Sequence, residues 1–199
     1  MSTESTKEVI VVGGPNGAGK TTFVTQFLSE LPYPYLSADA IAARINPTRP
    51  ESVQTQAGRE FLAQLADCIE REVSFIIEST LSGRSLLQSL RKLSDKGFRI
   101  SIAFIFLDSP DVHVQRVHER VRRGGHNVPE LDIRRRYLRS KQNFWNLYKE
   151  VASQWSLFYN SQEGFTNVAL GVGEQCDVVD PQLFSLFQHG IHVNDSSDL

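Results

Sequence analysis

The 199-residue sequence predicts an α/β fold, a parallel-sheet core with helices on both faces and a helical lid. Three observations carry that expectation. Short apolar runs alternate with amphipathic helical segments along most of the chain, the pattern of strands joined by crossover helices. A glycine-rich segment, GGPNGAGKTT, joins the first run to the first helix. The composition, 40% hydrophobic and 22% charged, is that of an ordinary globular chain, at a length suited to one domain.

Residues 8–13 (EVIVVG) are β-branched and end in glycine, so they read as a fully buried strand. Residues 20–30 follow as a helix and residues 35–38 as a short second strand; residues 39–45 are a helix stopped near Asn46-Pro47. Residues 53–72 place Phe61, Leu62, Leu65 and Ile69 on one helical face. Residues 74–78 (SFIIE) are a third strand, residues 83–96 a helix closed by Gly97, and residues 99–107 (RISIAFIFL) a fourth strand. Helices are predicted over 111–123 and 131–151 around Gly124-Gly125, with the lid at about 116–140. Strand candidates at 155–159, 166–170 and 177–179 and a helix at 181–188 complete a single domain over 1–199, with 1–7 and 192–199 as polar, flexible tails.

The segment Gly14-Pro15-Asn16-Gly17-Ala18-Gly19-Lys20-Thr21 is G-x-x-x-x-G-K-T in full, set between a buried strand and a helix. That context marks a phosphate-binding P-loop and hence a P-loop NTPase. Gly17 and Gly19 let backbone N–H groups turn inward around phosphate oxygens. The helix beginning near Gly19 points its positive end at the anion. Lys20 is expected on the β- and γ-phosphates of ATP or GTP, and the Thr21 hydroxyl on Mg²⁺; the nucleotide-binding set runs to Thr22. A guanine-specific NKxD is absent, and Leu81-Ser82-Gly83 is followed by Arg84 rather than completing LSGGQ. A small-molecule or nucleotide kinase is the economical reading.

Ligands on parallel sheets bind at the carboxyl ends of strands. The second strand ends at Asp39, placed to orient an acceptor hydroxyl and take its proton, or to cap the next helix. The third ends at Glu78-Ser79-Thr80, where Glu78 would hold the acceptor or a metal-bound water. Asp108 follows the fourth strand and is read as a helix cap ahead of Ser109-Pro110. Arg116, Arg120 and Arg123 fall on one helical face, as lid arginines that close over a transferring phosphoryl group would. One of Arg134, Arg135 and Arg136 is expected to serve the site from the other side of the lid. His126 is an acceptor-contact candidate, and no metal-ligand spacing surrounds it. Asn160 is read as an adenine contact, and the aromatics between 144 and 159 mostly as core.

These blocks together resemble the zeta toxin family of P-loop kinases, in its compact single-domain bacterial form. The resemblance runs through GGPNGAGKTTF (13–23), SADAIAARINP (37–47), IIESTLSG (76–83), FLDSPDVHVQRVHERVRRGGHNVP (106–129), IRRRYLRS (133–140) and LFYNS (157–161). It implies an ATP- and Mg²⁺-dependent kinase acting on a hydroxyl of UDP-N-acetylglucosamine or a similar UDP-sugar, with a small antitoxin protein as partner. By position it implies Asp39 as catalytic base, Glu78 and Thr80 as acceptor contacts and Arg120 as a lid arginine. Where those toxins carry an arginine two residues after the threonine, this chain has Ser82.

Two other readings stand beside it: a metabolic or resistance kinase with another acceptor, and a regulatory protein that only holds nucleotide. A net charge of −2 offers no field for nucleic acid or an anionic membrane, so neither is expected as a partner. Cys68 and Cys176 lie far apart and outside any CxxC spacing, as buried reduced thiols would. No apolar stretch approaches the ~20 residues that span a bilayer, and no signal-peptide pattern opens the chain, so the cytoplasm is the expected compartment.

Overall fold

A computed structural model describes residues 7–125 and 127–191. One seven-stranded sheet organises the chain, in the order β2-β3-β1-β4-β5-β6-β7. Strand β1 (Glu8–Gly13) lies between β3 (Phe75–Ser79) and β4 (Arg99–Phe106), parallel to both. Strand β2 (Tyr35–Ser37) adds to β3, and β5 (Gln154–Asn160) to β4, again parallel. The sheet then departs from the expected parallel pattern. Strands β6 (Phe165–Val172) and β7 (Gln175–Val178) run antiparallel as hairpins. The reason is length: four residues separate β5 from β6, and a parallel crossover needs a dozen or more.

Alternation along β1 sorts its side chains to two cores. Val9 and Val11 join the larger cluster, under α3 (Gln54–Glu70), α4 (Ser85–Asp95) and α8 (Pro181–Gln188). Val12 joins the smaller one, under α1 (Lys20–Phe23). Burial on both faces is why the strand reads as a continuous apolar run. Helix α1 passes directly into a π-helical turn, Val24–Leu28. Helix α2 (Ala38–Ile45) packs on α3 through Ile41, Ala42 and Ala57, and a 3₁₀ turn at Pro50–Val53 links the two.

The predicted lid is a helix pair, α5 (Pro110–Arg122) and α6 (Glu130–Asn143), with its own small core of Val114, Val117, Val128 and Ile133. Helix α6 continues through a π-helical turn, Phe144–Tyr148, into α7 (Lys149–Val151). Phe144 is fully buried and stacks on Phe104 of β4, ring centroids 4.4 Å apart, so the outer end of the pair is tied into the main core. Lys7, placed by sequence in the flexible start, is held at the head of β1, inside the sheet. Its carbonyl accepts from Arg99 N at 2.8 Å and its ammonium meets Glu72 at 2.9 Å. Cys68 is buried, but Cys176 is exposed on β7, the outermost strand with no layer above it, against the expectation of two buried thiols. Among the described residues no helix is long and apolar enough to cross a membrane.

Phe144→Ala removes a ring that also meets Trp155 and Phe187. It should lower unfolding free energy by about 3–5 kcal/mol in urea titrations, with a parallel fall in Tm.

Candidate active site

The P-loop leaves β1 at its carboxyl end, and Gly19, in the left-handed region at φ 94°, is the N-cap of α1. Sequence reasoning assigned Gly17 and Gly19 to the inside of the loop, where phosphate would lie. The structure shows what occupies the outside. A Cβ at Gly17 would stand 2.8 Å from the carbonyl oxygen of His113, and one at Gly19 would stand 2.3 Å from the Asn160 amide nitrogen. Both neighbours grip the loop. Asn160 Nδ2 donates to the Ala18 carbonyl at 2.8 Å, and His113 Nδ1 lies 2.8 Å from the Asn16 carbonyl. Asn160, read from sequence as an adenine contact, has its amide committed to the loop itself.

His113 is fully buried on the inner face of α5, and its Nε2 has no partner. Burial pushes its imidazole down to about 3, and the nearby charges of Lys20, Arg116 and Lys141 act in the same direction against the Asn16 carbonyl. The ring is therefore neutral, with its Nδ1–H donated to Asn16.

Lys20 lies across the loop, with Nζ donating to the Pro15 carbonyl at 3.2 Å. Burial lowers its pKa, while the neighbouring carboxylates of Glu78 and Asp39 oppose that shift. Thr21 Oγ1 donates to Glu78 Oε2 at 2.8 Å, and Tyr35 OH donates to the same oxygen. Burial, then the Glu78 charge, raises the Tyr35 phenol well above its usual range, so it stays a donor. Tyr35 was not singled out from sequence. Its position one strand over from Glu78, on β2, is a fact of strand order rather than of local pattern.

Two clefts share Lys20, Asp39 and Glu78. The first, about 510 Å³, is lined by the P-loop and by Arg116, Arg120 and Arg123. Of the expected nucleotide set, Asn16, Gly17, Gly19, Lys20, Thr21 and Thr22 line it, whereas Gly14, Pro15 and Ala18 form the buried underside of the loop. The second, about 280 Å³, lies on the β2–β3 side and adds Thr80, Ser82 and Arg136. Asp39 sits in the first turn of α2, but the cap of that helix is Ser37, whose hydroxyl accepts from Ala40 N at 3.3 Å. Its carboxylate is thus left to the clefts. The cap expected at Asp108 is likewise made by Ser109; Asp108 accepts from Tyr159 OH at 2.9 Å instead.

The arginines divide by partner. Arg116 donates to the carbonyls of Asn160 (3.1 Å) and Ser161 (3.3 Å). Arg134 pairs with Asp111 and Glu130, and Arg135 with Asp132, away from both clefts. Arg136 reaches Asn16 Oδ1 at 3.4 Å and lines the second cleft, so it is the member of that run which faces the site. His126 lies outside the described residues.

The residues fit a nucleoside triphosphate and its magnesium. The loop is a preformed cradle closed on its outer side, a buried ammonium lies along it, and Thr21 with Glu78 offers the hard oxygen donors that Mg²⁺ takes. Among the described residues no group of three or more His, Cys, Asp and Glu could hold a metal by itself.

Residues 9–140 match the family model of the AAA domain, AAA_33. The chain belongs to that AAA domain family. The match runs from β1 through α6 and so spans the P-loop, Asp39, Glu78 and the arginines of α5 and α6. A protein of Haemophilus influenzae described as uncharacterized is 32% identical over 124 residues, covering 62% of this chain and 88% of that protein. Among solved structures, the native AvrRxo1-ORF1:-ORF2 complex superposes with a TM-score of 0.72 at 13% identity, over 93% of this chain. This AAA domain spans only 64% of that chain. The PezAT chromosomal toxin–antitoxin system of Streptococcus pneumoniae gives a TM-score of 0.65 at 14% identity, over 96% of this chain and 82% of that one. At such identities the likeness is one of fold, the kinase-like P-loop NTPase fold.

Neutral His113 sets a pH dependence. An unfolded imidazole titrates near 6.5 and the folded one at about 3, so the unfolded chain holds the extra proton between those values. Stability is therefore intact above pH 6.5 and falls as pH is lowered, with a limiting slope of about 1.4 kcal/mol per pH unit. His113→Gln carries no such proton. The stability gap between wild type and variant in urea titrations should narrow by about 2 kcal/mol between pH 7.5 and pH 5.

Proposed function

We propose that this AAA domain is an ATP- and Mg²⁺-dependent kinase that phosphorylates a hydroxyl of a small molecule, in the manner of the zeta toxins it resembles. One observation carries the reading. Asp39, which caps nothing, lines both the P-loop cleft and the neighbouring one, with Lys20 between them. A carboxylate so placed between a phosphate site and a second cleft suits a base that serves an acceptor.

In this reading ATP·Mg²⁺ supplies an electrophilic γ-phosphorus and a cation that offsets charge on its oxygens. Lys20 and the loop N–H groups hold the phosphates, and Thr21, oriented by Glu78, holds the metal. The acceptor oxygen forms the new bond to phosphorus as the bond to the bridging oxygen breaks, and Asp39 takes the hydroxyl proton. Arg116, Arg120 and Arg123 face the same cleft and offset the charge that develops. The larger hollow beyond them, lined by Asp108, Gln115, Tyr159 and Gln162, suits the nucleoside end.

A UDP-sugar, the acceptor class the resemblance names, needs a cationic seat for its diphosphate. The second cleft offers Arg136, with Ser82 where those toxins carry arginine. The proposal is therefore framed for a small-molecule hydroxyl, with UDP-N-acetylglucosamine as the first compound to try. An antitoxin partner rests on the resemblance and on the PezAT likeness, whose description names a toxin–antitoxin system.

³¹P NMR with ATP, Mg²⁺ and a panel of hydroxyl compounds should show a new phosphomonoester. Asp39→Asn should lower its rate of formation by about 10²–10⁴-fold without raising KM for ATP. Lys20→Ala should abolish ATP binding itself, and EDTA should stop turnover. ATP binding with no product from any compound, and no effect of Asp39→Asn, would return the protein to the reading of a nucleotide-holding regulator.

A further inference from the structure

A groove of about 400 Å³ runs between α3 and the start of α4, walled by Phe61, Leu62, Leu65 and Leu86. Three of its lining residues, Phe61, Ser85 and Leu86, also line the second cleft, so the groove continues that cleft away from Asp39. Two features set it apart from an incidental dent. Leu62 is 59% exposed at its edge, an apolar side chain that the fold leaves in water. At its floor, in the interior of α3, stands Gly58, where an added Cβ would meet no atom within 4 Å. Glycine is the poorest helix former after proline, and no packing or backbone conformation asks for it here. A glycine among the lining residues leaves that part of the groove unfilled.

The geometry points to a groove that holds an apolar portion, aryl or alkyl, of the acceptor whose hydroxyl lies at Asp39. The acceptor class is thus a hydroxyl compound with an apolar arm, bound head to Asp39 and arm to the α3–α4 groove. This rests on the kinase reading above. Its physical basis is the favourable transfer of apolar surface out of water into a cleft already lined with leucine and phenylalanine. The diphosphate of a nucleotide sugar would gain nothing from such walls.

The test uses matched acceptors: octyl β-D-glucoside, below its micelle concentration, against D-glucose, and 1-phenyl-1,2-ethanediol against 1,2-ethanediol. Transfer from ATP is followed in wild type and Gly58→Phe, with saturation-transfer NMR of 1-phenyl-1,2-ethanediol alongside. Gly58→Ala, read by its Tm, shows that the helix accepts a side chain at this position. The apolar member of a pair should be favoured by about tenfold or more in kcat/KM. Gly58→Phe should raise KM for that member about tenfold without a matching rise in KM for ATP. Equal use of both members, or an unchanged KM in Gly58→Phe, overturns the groove assignment and leaves the kinase reading standing. No transfer to any compound, here or in the ³¹P panel, with phenylethanediol binding that Gly58→Phe abolishes, leaves an apolar site but overturns its assignment to an acceptor. Neither transfer nor binding overturns both. A wild-type dimer that Gly58→Phe converts to monomer in sedimentation would assign the groove to a second copy and overturn the proposal.

Discussion

The site depends on a clamp around the phosphate loop. A loop of this shape has backbone amides turned to one side, and its other side must be held or it will relax. Asn160 holds it from the end of β5 and His113 from α5, each by a hydrogen bond to a loop carbonyl. Each also approaches a glycine more closely than any side chain there would permit. The glycines thus serve the protein's own packing as well as a ligand's. Burying a neutral imidazole with one nitrogen unpartnered is an energetic concession, and the position of the loop is what it secures.

From the clamped loop the rest of the arrangement follows by strand order. Because β3 lies beside β1, Glu78 meets Thr21 across the strands, and because β2 lies beside β3, Tyr35 meets Glu78 in turn. One carboxylate oxygen on β3 therefore takes hydrogen bonds from Tyr35 of β2 and from Thr21 in the first turn of α1. Buried Lys20 lies close to that carboxylate and to Asp39, and their charges partly counter its desolvation. The two clefts are two sides of one charged centre rather than separate sites.

Much of the fold was legible in the sequence, because β1 and α8 carry unambiguous patterns and their observed bounds match residues 8–13 and 181–188. The β-hairpins at the end of the sheet were visible as strands but not in direction, which depends on how short the turn after Asn160 is. At the site, residues announced by motif or by strand end, such as Lys20, Thr21, Asp39 and Glu78, do meet at one place. Residues whose importance comes from a neighbour far along the chain were silent. His113 is one apolar-face residue among several on α5, and Tyr35 is an ordinary strand aromatic. Asp108 was misread because sequence shows a side chain's capacity and not its partner. Ser109 stood beside Asp108 with equal capacity to cap, and the structure uses it.

Asn160 faces two ways. Its amide holds the P-loop, while its backbone carbonyl receives the guanidinium of Arg116 from α5. With His113 on the same helix also bonded to the loop, the first turns of α5 are tied to the phosphate cradle both directly and through Asn160. A loop held this way takes its preorganisation from the stability of the domain, so substitutions that merely loosen the fold around β5 will reach the cradle without touching it.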